Sequence, residues 1–244
     1  MDTRVPRWTP YCGDAPEPTH WLVHWNFDPV LMTATFCLLV LGICRSPLTT
    51  RNQAAAAAIV LILFVSPLCA LGSALFSIRA AHHLALALVL SPVLEGALPD
   101  HTRFRLPLAA ATIVQAALLW VWHVPAFYEG ALSNDALFWA MQVSITTSAM
   151  IWWIALRRAS PLAAVASVLA TMVQMGLLGA LLVFAGRPLY APHWLTTSPW
   201  GLTPLEDQQV AGLIMWVAGS GAYLALAGML LWRALAPTAR LQPA

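Results

Sequence analysis

The run from Leu162 to Ala185, LAAVASVLATMVQMGLLGALLVFA, carries no charged residue. A helix of about 20 apolar residues spans the hydrocarbon core of a bilayer. Lipid offers the backbone no hydrogen-bond partners, so a chain that crosses it must be a helix or part of a closed barrel. The run therefore reads as a membrane helix. Six further apolar runs lie at Pro29 to Ile43, Ala54 to Phe76, Ala80 to Leu98, Leu106 to Trp122, Ala136 to Leu156 and Leu205 to Leu235. Together they predict an all-α integral membrane protein, a bundle of seven transmembrane helices. Composition agrees: of 244 residues, 60% are hydrophobic and 9% charged, against roughly 25% charged in a soluble domain.

The expected organisation is a periplasmic N-terminal segment over 1–28, with a short interfacial helix, a membrane domain over 29–235 and a cytoplasmic tail over 236–244. Acidic residues Asp2, Asp14, Glu17 and Asp28 precede the first run, where a signal peptide would place a short basic segment, so that run is read as a retained span. All basic residues are arginine. Arg45, Arg51, Arg103, Arg105, Arg157, Arg158, Arg233 and Arg240 fall on one side of a seven-span arrangement, and Arg4, Arg7, Arg79 and Arg187 on the other. The arginine-rich side is read as cytoplasmic, with the N-terminus outside and the C-terminus inside. The pairs Asp28-Pro29, Ser160-Pro161 and Thr203-Pro204 each put a capping acceptor before a proline, marking three helix starts.

The four cysteines do not suggest a disulfide framework. Cys37, Cys44 and Cys69 read as apolar packing residues and Cys12 as a free thiol, with metal handling by Cys12 the alternative. Histidines concentrate on the outer side: His20, His24, His82, His83, His123 and His193, with His101 alone on the inner side. His82 and His83 open the third span and His123 closes the fourth, which allows them to approach. In HWLVHW, His20 and His24 share one face of a helix and could chelate a metal; Trp21 and Trp25 equally explain the segment as an aromatic anchor. Met172 and Met175 lie one turn apart on the sixth span and Met215 lies on the seventh. Thioether and imidazole together suit Cu(I), while gap filling between helices is the alternative for each methionine.

The seventh span opens with TPLEDQQ, polar residues entering an apolar helix. Thr203 and Glu206 match a capping box, and Asp207 can share that role. Gln208 and Gln209 need an interior partner, because an amide inside the hydrocarbon turns toward protein or water. Gln208, Gly212, Met215 and Gly219 form one inward stripe at helical spacing.

On WNFDPVL, SPLCALGSALFS, WVWHVPAFYEGAL, TMVQMGLLGALLVFAGRPLYAPH and PLEDQQVAGLIMW, in this order along nearly the whole chain, the sequence resembles the CtaG-type assembly factors of caa-type cytochrome c oxidase. The resemblance implies a role in building a haem-copper oxidase, through copper supply at the outer face of a bacterial inner membrane. It implies oxidase subunits, the bilayer and a periplasmic copper chaperone as partners, with no nucleic acid; no nucleophile-base pair, phosphate loop or paired-carboxylate arrangement in the sequence supports an enzyme. Many relatives have His-x-x-Gln-His at the third span; here Arg79 replaces the first histidine, His82 the glutamine, and His83 keeps the last. His123 is retained. The fifth span lacks the Glu-His pair of many relatives, and Ala218 stands where proline is usual.

The expected Cu(I) ligands are thus His83 and His123, with His82, Met172, Met175 and Met215 as further candidates, and Gln208, Gln209 and Asp207 orienting them from behind. The segment RPLYAPHWLTTSPWGLTP is expected to lie over this end as a lid, with Tyr190, Trp194 and Trp200 in the interface. Two readings compete: a metal-free scaffold for oxidase subunits, and a b-type haem protein with His83 and His123 as axial ligands.

Overall fold

The computed structural model describes residues 8, 10–43, 47–97 and 106–236. Arg4, Arg7, Arg45, Arg103, Arg105, Arg240, Cys44 and His101, and the tail beyond 236, lie outside the described residues. Those that are described form helices and connecting turns, with no strand. We label the helices α1 (Pro29–Ile43), α2 (Pro47–Val60, continued by a π turn Leu61–Val65), α3 (Leu68–Ala74), α4 (Phe76–Gly96), α5 (Leu108–Trp122), α6 (Pro125–Ala131), α7 (Asp135–Arg158), α8 (Pro161–Phe184) and α9 (Pro204–Leu235).

Helices α4, α7, α8 and α9 are each long and apolar enough to cross a membrane. Two bent pairs, α2 with α3 and α5 with α6, bring the candidates to six, and α1 is a shorter apolar helix. Large apolar side chains such as Leu162, Phe184, Val217 and Trp232 point outward and stay exposed, the surface expected of a protein solvated by lipid.

Prolines account for the bends. Pro67 lacks an N–H and Ser66 before it is extended, so α2 stops there and α3 restarts the helix. Val124, extended before Pro125, turns the chain by 77° between α5 and α6. A second break at the extended residue Leu75 starts α4 at Phe76, four residues earlier than the hydropathy pattern suggests.

The predicted caps hold in two cases of three. Asp28 Oδ1 accepts the N–H of Leu31 at 2.7 Å, and Thr203 with Glu206 forms a full capping box. Ser160 makes no side-chain cap, leaving Pro161 alone to mark that start, while Asn134 caps α7 through the N–H of Leu137 at 3.0 Å. The HWLVHW segment forms one 3-10 turn, Trp21–Val23, rather than an interfacial helix. Its Leu22, Val23, Trp25 and Phe27 are exposed, in keeping with an anchor.

The cysteine expectation is overturned. Cys12 and Cys69 form a disulfide across 57 residues, with Cα atoms 5.3 Å apart. The chain bends by 40° at the Pro67 break, and the contact of α3 with the N-terminal segment is a proximity that spacing along the chain does not reveal. Cys37 is free and exposed.

Two glycines let α8 and α9 approach closely. A Cβ on Gly179 would sit 2.7 Å from the Gly212 carbonyl oxygen, and one on Gly212 would sit 2.6 Å from that of Gly179. Each glycine thus accommodates the other's backbone. At the opposite end of the bundle, Glu95 on α4 pairs with Arg157 on α7, and Asn52 donates to the Gly96 carbonyl at 2.7 Å.

Candidate metal centre

The break at Leu75 exposes backbone groups that a continuous helix would satisfy internally. The rest of the fold supplies their partners. The Asp207 carboxylate accepts the N–H groups of Phe76 at 2.7 Å and Ser77 at 3.2 Å, and the Ser77 hydroxyl at 2.5 Å. On the other side of the break, the Ala74 carbonyl accepts the Thr196 hydroxyl at 2.7 Å and His193 Nδ1–H at 3.3 Å. With Nδ1 protonated, His193 Nε2 accepts the Tyr128 hydroxyl at 2.8 Å. Burial holds the His193 pKa down to about 3, so this imidazole is neutral at physiological pH.

These contacts seat the 185–203 segment over one end of the bundle. Tyr190 is buried, stacks on Phe76 with ring centres 3.9 Å apart, and donates to the His123 carbonyl at 2.8 Å. It therefore faces inward rather than joining the interface. Trp194 and Leu195 are the large apolar side chains of the segment that point out.

Beneath this cover, α4, α5, α7, α8 and α9 enclose a cavity of about 20 Å³, lined by His83, Gln115, His123, Ser148, Met175, Met215 and Tyr223 among apolar neighbours. A cavity must offer about 10–15 Å³ to hold a water, so one water-sized or ion-sized guest fits. The ring centres of His83 and His123 are 5.6 Å apart. Two imidazoles sharing one ion at about 2.0 Å have ring centres roughly 5–6 Å apart.

The protonation pattern suits this arrangement. His123 Nδ1–H donates to the Leu119 carbonyl at 2.7 Å, which leaves Nε2 as a lone pair with no partner. Both ring nitrogens of His83 and Oε1 of Gln115 also lack partners, although all three side chains are buried. Buried polar atoms are ordinarily satisfied. Three such groups around one small void point to a guest. Two imidazoles and the thioethers of Met175 and Met215 form a soft donor set that fits Cu(I). Among the described residues, no three His, Cys, Asp or Glu side chains group for a metal, so donors beyond the two imidazoles would have to be the thioethers.

Local helix geometry places the donors. A π turn over Ile214–Gly219 contains Met215, and another over Leu86–Leu90 contains Ala87, so both helices widen where they border the cavity. Gly219 makes room for Met175, whose Sδ would lie 3.1 Å from a Cβ there.

The other expected site residues lie elsewhere. His82 is buried against Phe64, with ring centres 4.9 Å apart, because adjacent residues on a helix face different ways. Met172 packs against the core away from the cavity. Gln208 donates to the Leu182 carbonyl at 3.1 Å and accepts the Leu189 N–H at 2.7 Å; Gln209 donates to the Val183 carbonyl at 3.3 Å. Both amides therefore satisfy the end of α8, and Asp207 caps α4. None of the three lines the cavity. Gln115 and Tyr223 do; a glutamine in the middle of an apolar span was the available signal for the first.

Arg79, at the position of a motif histidine, is fully buried. Its Nη2 lies 4.0 Å from Cys12 Sγ and its guanidinium lies over Phe138, 5.3 Å from the ring centre.

No similar curated protein and no similar solved structure was found. The family model described as cytochrome c oxidase caa3 assembly factor matches residues 49–236, a stretch that contains every residue of the cavity. The chain belongs to the cytochrome c oxidase caa3 assembly factor family.

Proposed function

We propose that the protein holds Cu(I) in transit to a haem-copper oxidase, between His83, His123, Met175 and Met215. The observation that carries this reading is the pair of facing imidazoles with unpartnered nitrogens on a cavity sized for one ion. The ion is cargo, and the chain's role is to bind it and exclude water. Leu119 fixes the His123 tautomer, and Tyr190 holds the His123 backbone from above. The small volume favours an ion over a porphyrin, since ligand pockets for such molecules run to hundreds of Å³.

The protein works as a seven-span bundle in the bacterial inner membrane, with the covered end facing the periplasm. The arginine bias supports this orientation. The Cys12–Cys69 disulfide at that end also supports it, because disulfides persist in the periplasm and are rare in the cytosol. Copper enters from a periplasmic chaperone and leaves to an oxidase subunit.

The test is oxidase maturation in cells expressing Met175→Leu/Met215→Leu. Leucine keeps the packing volume and removes the thioethers. Oxidase activity should fall while the protein remains inserted at normal levels. Full activity in this variant and in His83→Ala/His123→Ala would replace copper transit with the metal-free scaffold.

A further inference from the structure

A second cavity lies apart from the metal centre, between α1, α2, α4 and α7. Its volume is about 260 Å³, and Leu31, Leu38, Phe64, Leu94 and Trp139 give it apolar walls. Three threonines, Thr35, Thr146 and Thr147, and one amide side chain break this surface. Gln142 lines the cavity, is 1% exposed, and has no hydrogen-bond partner on either Oε1 or Nε2.

The nearby hydroxyls do not explain it. Thr146 donates to the Gln142 backbone carbonyl at 2.8 Å and Thr35 to the Leu31 carbonyl at 2.8 Å, and although a hydroxyl can also accept, neither is hydrogen-bonded to the Gln142 amide. Leaving a buried amide unpaired costs about 1–3 kcal/mol for each group. The side chain therefore calls for a guest that both donates to Oε1 and accepts from Nε2.

Two features limit what that guest is. Gln142 lies seven residues, about 10 Å, along α7 from its capped start. An acyl chain has nothing to offer an amide at that depth. At about 260 Å³ the cavity is also too small to seat a partner helix, whose diameter with side chains is about 10–12 Å. A slender apolar tail ending in a hydroxyl fits both limits, since one hydroxyl supplies a donor and an acceptor together.

We propose that the groove between α1, α2, α4 and α7 binds a membrane-soluble alcohol or phenol on a thin apolar tail, its hydroxyl paired with the Gln142 amide. Isoprenoid alcohols, quinols and glycerides with a free hydroxyl share this chemistry. The site is independent of the copper reading.

Farnesol and farnesyl methyl ether, titrated into the full-length protein in nanodiscs of a single phosphatidylcholine, test the proposal by calorimetry. The ether keeps the tail and an acceptor but has no donor. The protein should bind farnesol at least tenfold tighter than the ether. Gln142→Leu should reduce that ratio to about one, and its apolar replacement in an apolar wall keeps the fold intact. Ala34→Phe, which fills the groove, should remove saturable binding of both probes. Mass spectrometry of lipids retained by protein purified from its own membrane distinguishes the natural sources, with a quinol, an isoprenoid alcohol or a free-hydroxyl glyceride each supporting the site. No saturable farnesol binding, or an unchanged preference in Gln142→Leu, overturns it.

Discussion

The Asp207 carboxylate accepts the Phe76 N–H at 2.7 Å, so the first turn of α9 caps the first turn of α4 across 131 residues of chain. One side chain thereby fixes the two helices that carry Met215 and His83. Asp207→Ala should destabilise the protein by about 2–3 kcal/mol, because it leaves buried donors unpaired, and Asp207→Asn by less, because one acceptor remains. Unfolding in mixed micelles measures both. Equal losses would show that the carboxylate acts through charge alone.

The same contact shows what the sequence revealed and what it hid. The Thr203–Glu206 capping box is local, and its pattern was legible. Asp207 sits in the same turn and reads as a second capping acidic residue, yet it caps a distant helix exposed by the break at Leu75. Nothing in the local pattern announces that break. Likewise His83, His123, Met175 and Met215 stood out by residue type and by place along their spans, while Gln208 looked inward for the right reason and found a backbone carbonyl and a backbone N–H instead. Gln115 carried a signal, as an amide in the middle of an apolar span, whereas Tyr223 and the π turns escaped because helix register within an apolar run has no hydropathy signal. The Cys12–Cys69 bond escaped because it depends on the fold of α3.

Glycine packing gives a sharp contrast. Gly179→Ala and Gly212→Ala each push a methyl into a facing backbone that cannot yield, with costs of about 1–3 kcal/mol. Gly221→Ala and Gly228→Ala meet open space in α9 and should be neutral or stabilising by about 0.5–1 kcal/mol. Thermal melts of the four variants in one detergent check the ranking.

Arg79 should make the disulfide easier to reduce. Reduction creates a thiol at Cys12 beside a buried guanidinium whose Nε and Nη1 lack partners, and that environment favours the thiolate. Arg79→Met should shift the dithiol–disulfide equilibrium about tenfold toward the disulfide, or about 30 mV. Maleimide gel shifts across a dithiothreitol series read this directly, and an unchanged midpoint would contradict it.

His193 makes the covering segment acid-sensitive. Its pKa is about 3 when folded, against about 6.5 unfolded, so the unfolded state binds more protons between those values. This contribution to stability is present above pH 6.5 and is lost progressively as pH falls toward 3. His193→Gln should flatten the pH dependence of unfolding in that window. A wild-type slope that survives the substitution would assign the effect to another group.

X-ray absorption at the copper edge, on purified protein loaded with one equivalent of Cu(I), tests the central claim most directly. The account predicts a spectrum containing two imidazole nitrogens at about 2.0 Å together with sulfur, with the sulfur signal lost in Met175→Leu/Met215→Leu and copper retention lost in His83→Ala/His123→Ala. Failure of the wild-type protein to retain copper, or an unchanged spectrum in both double variants, would contradict it.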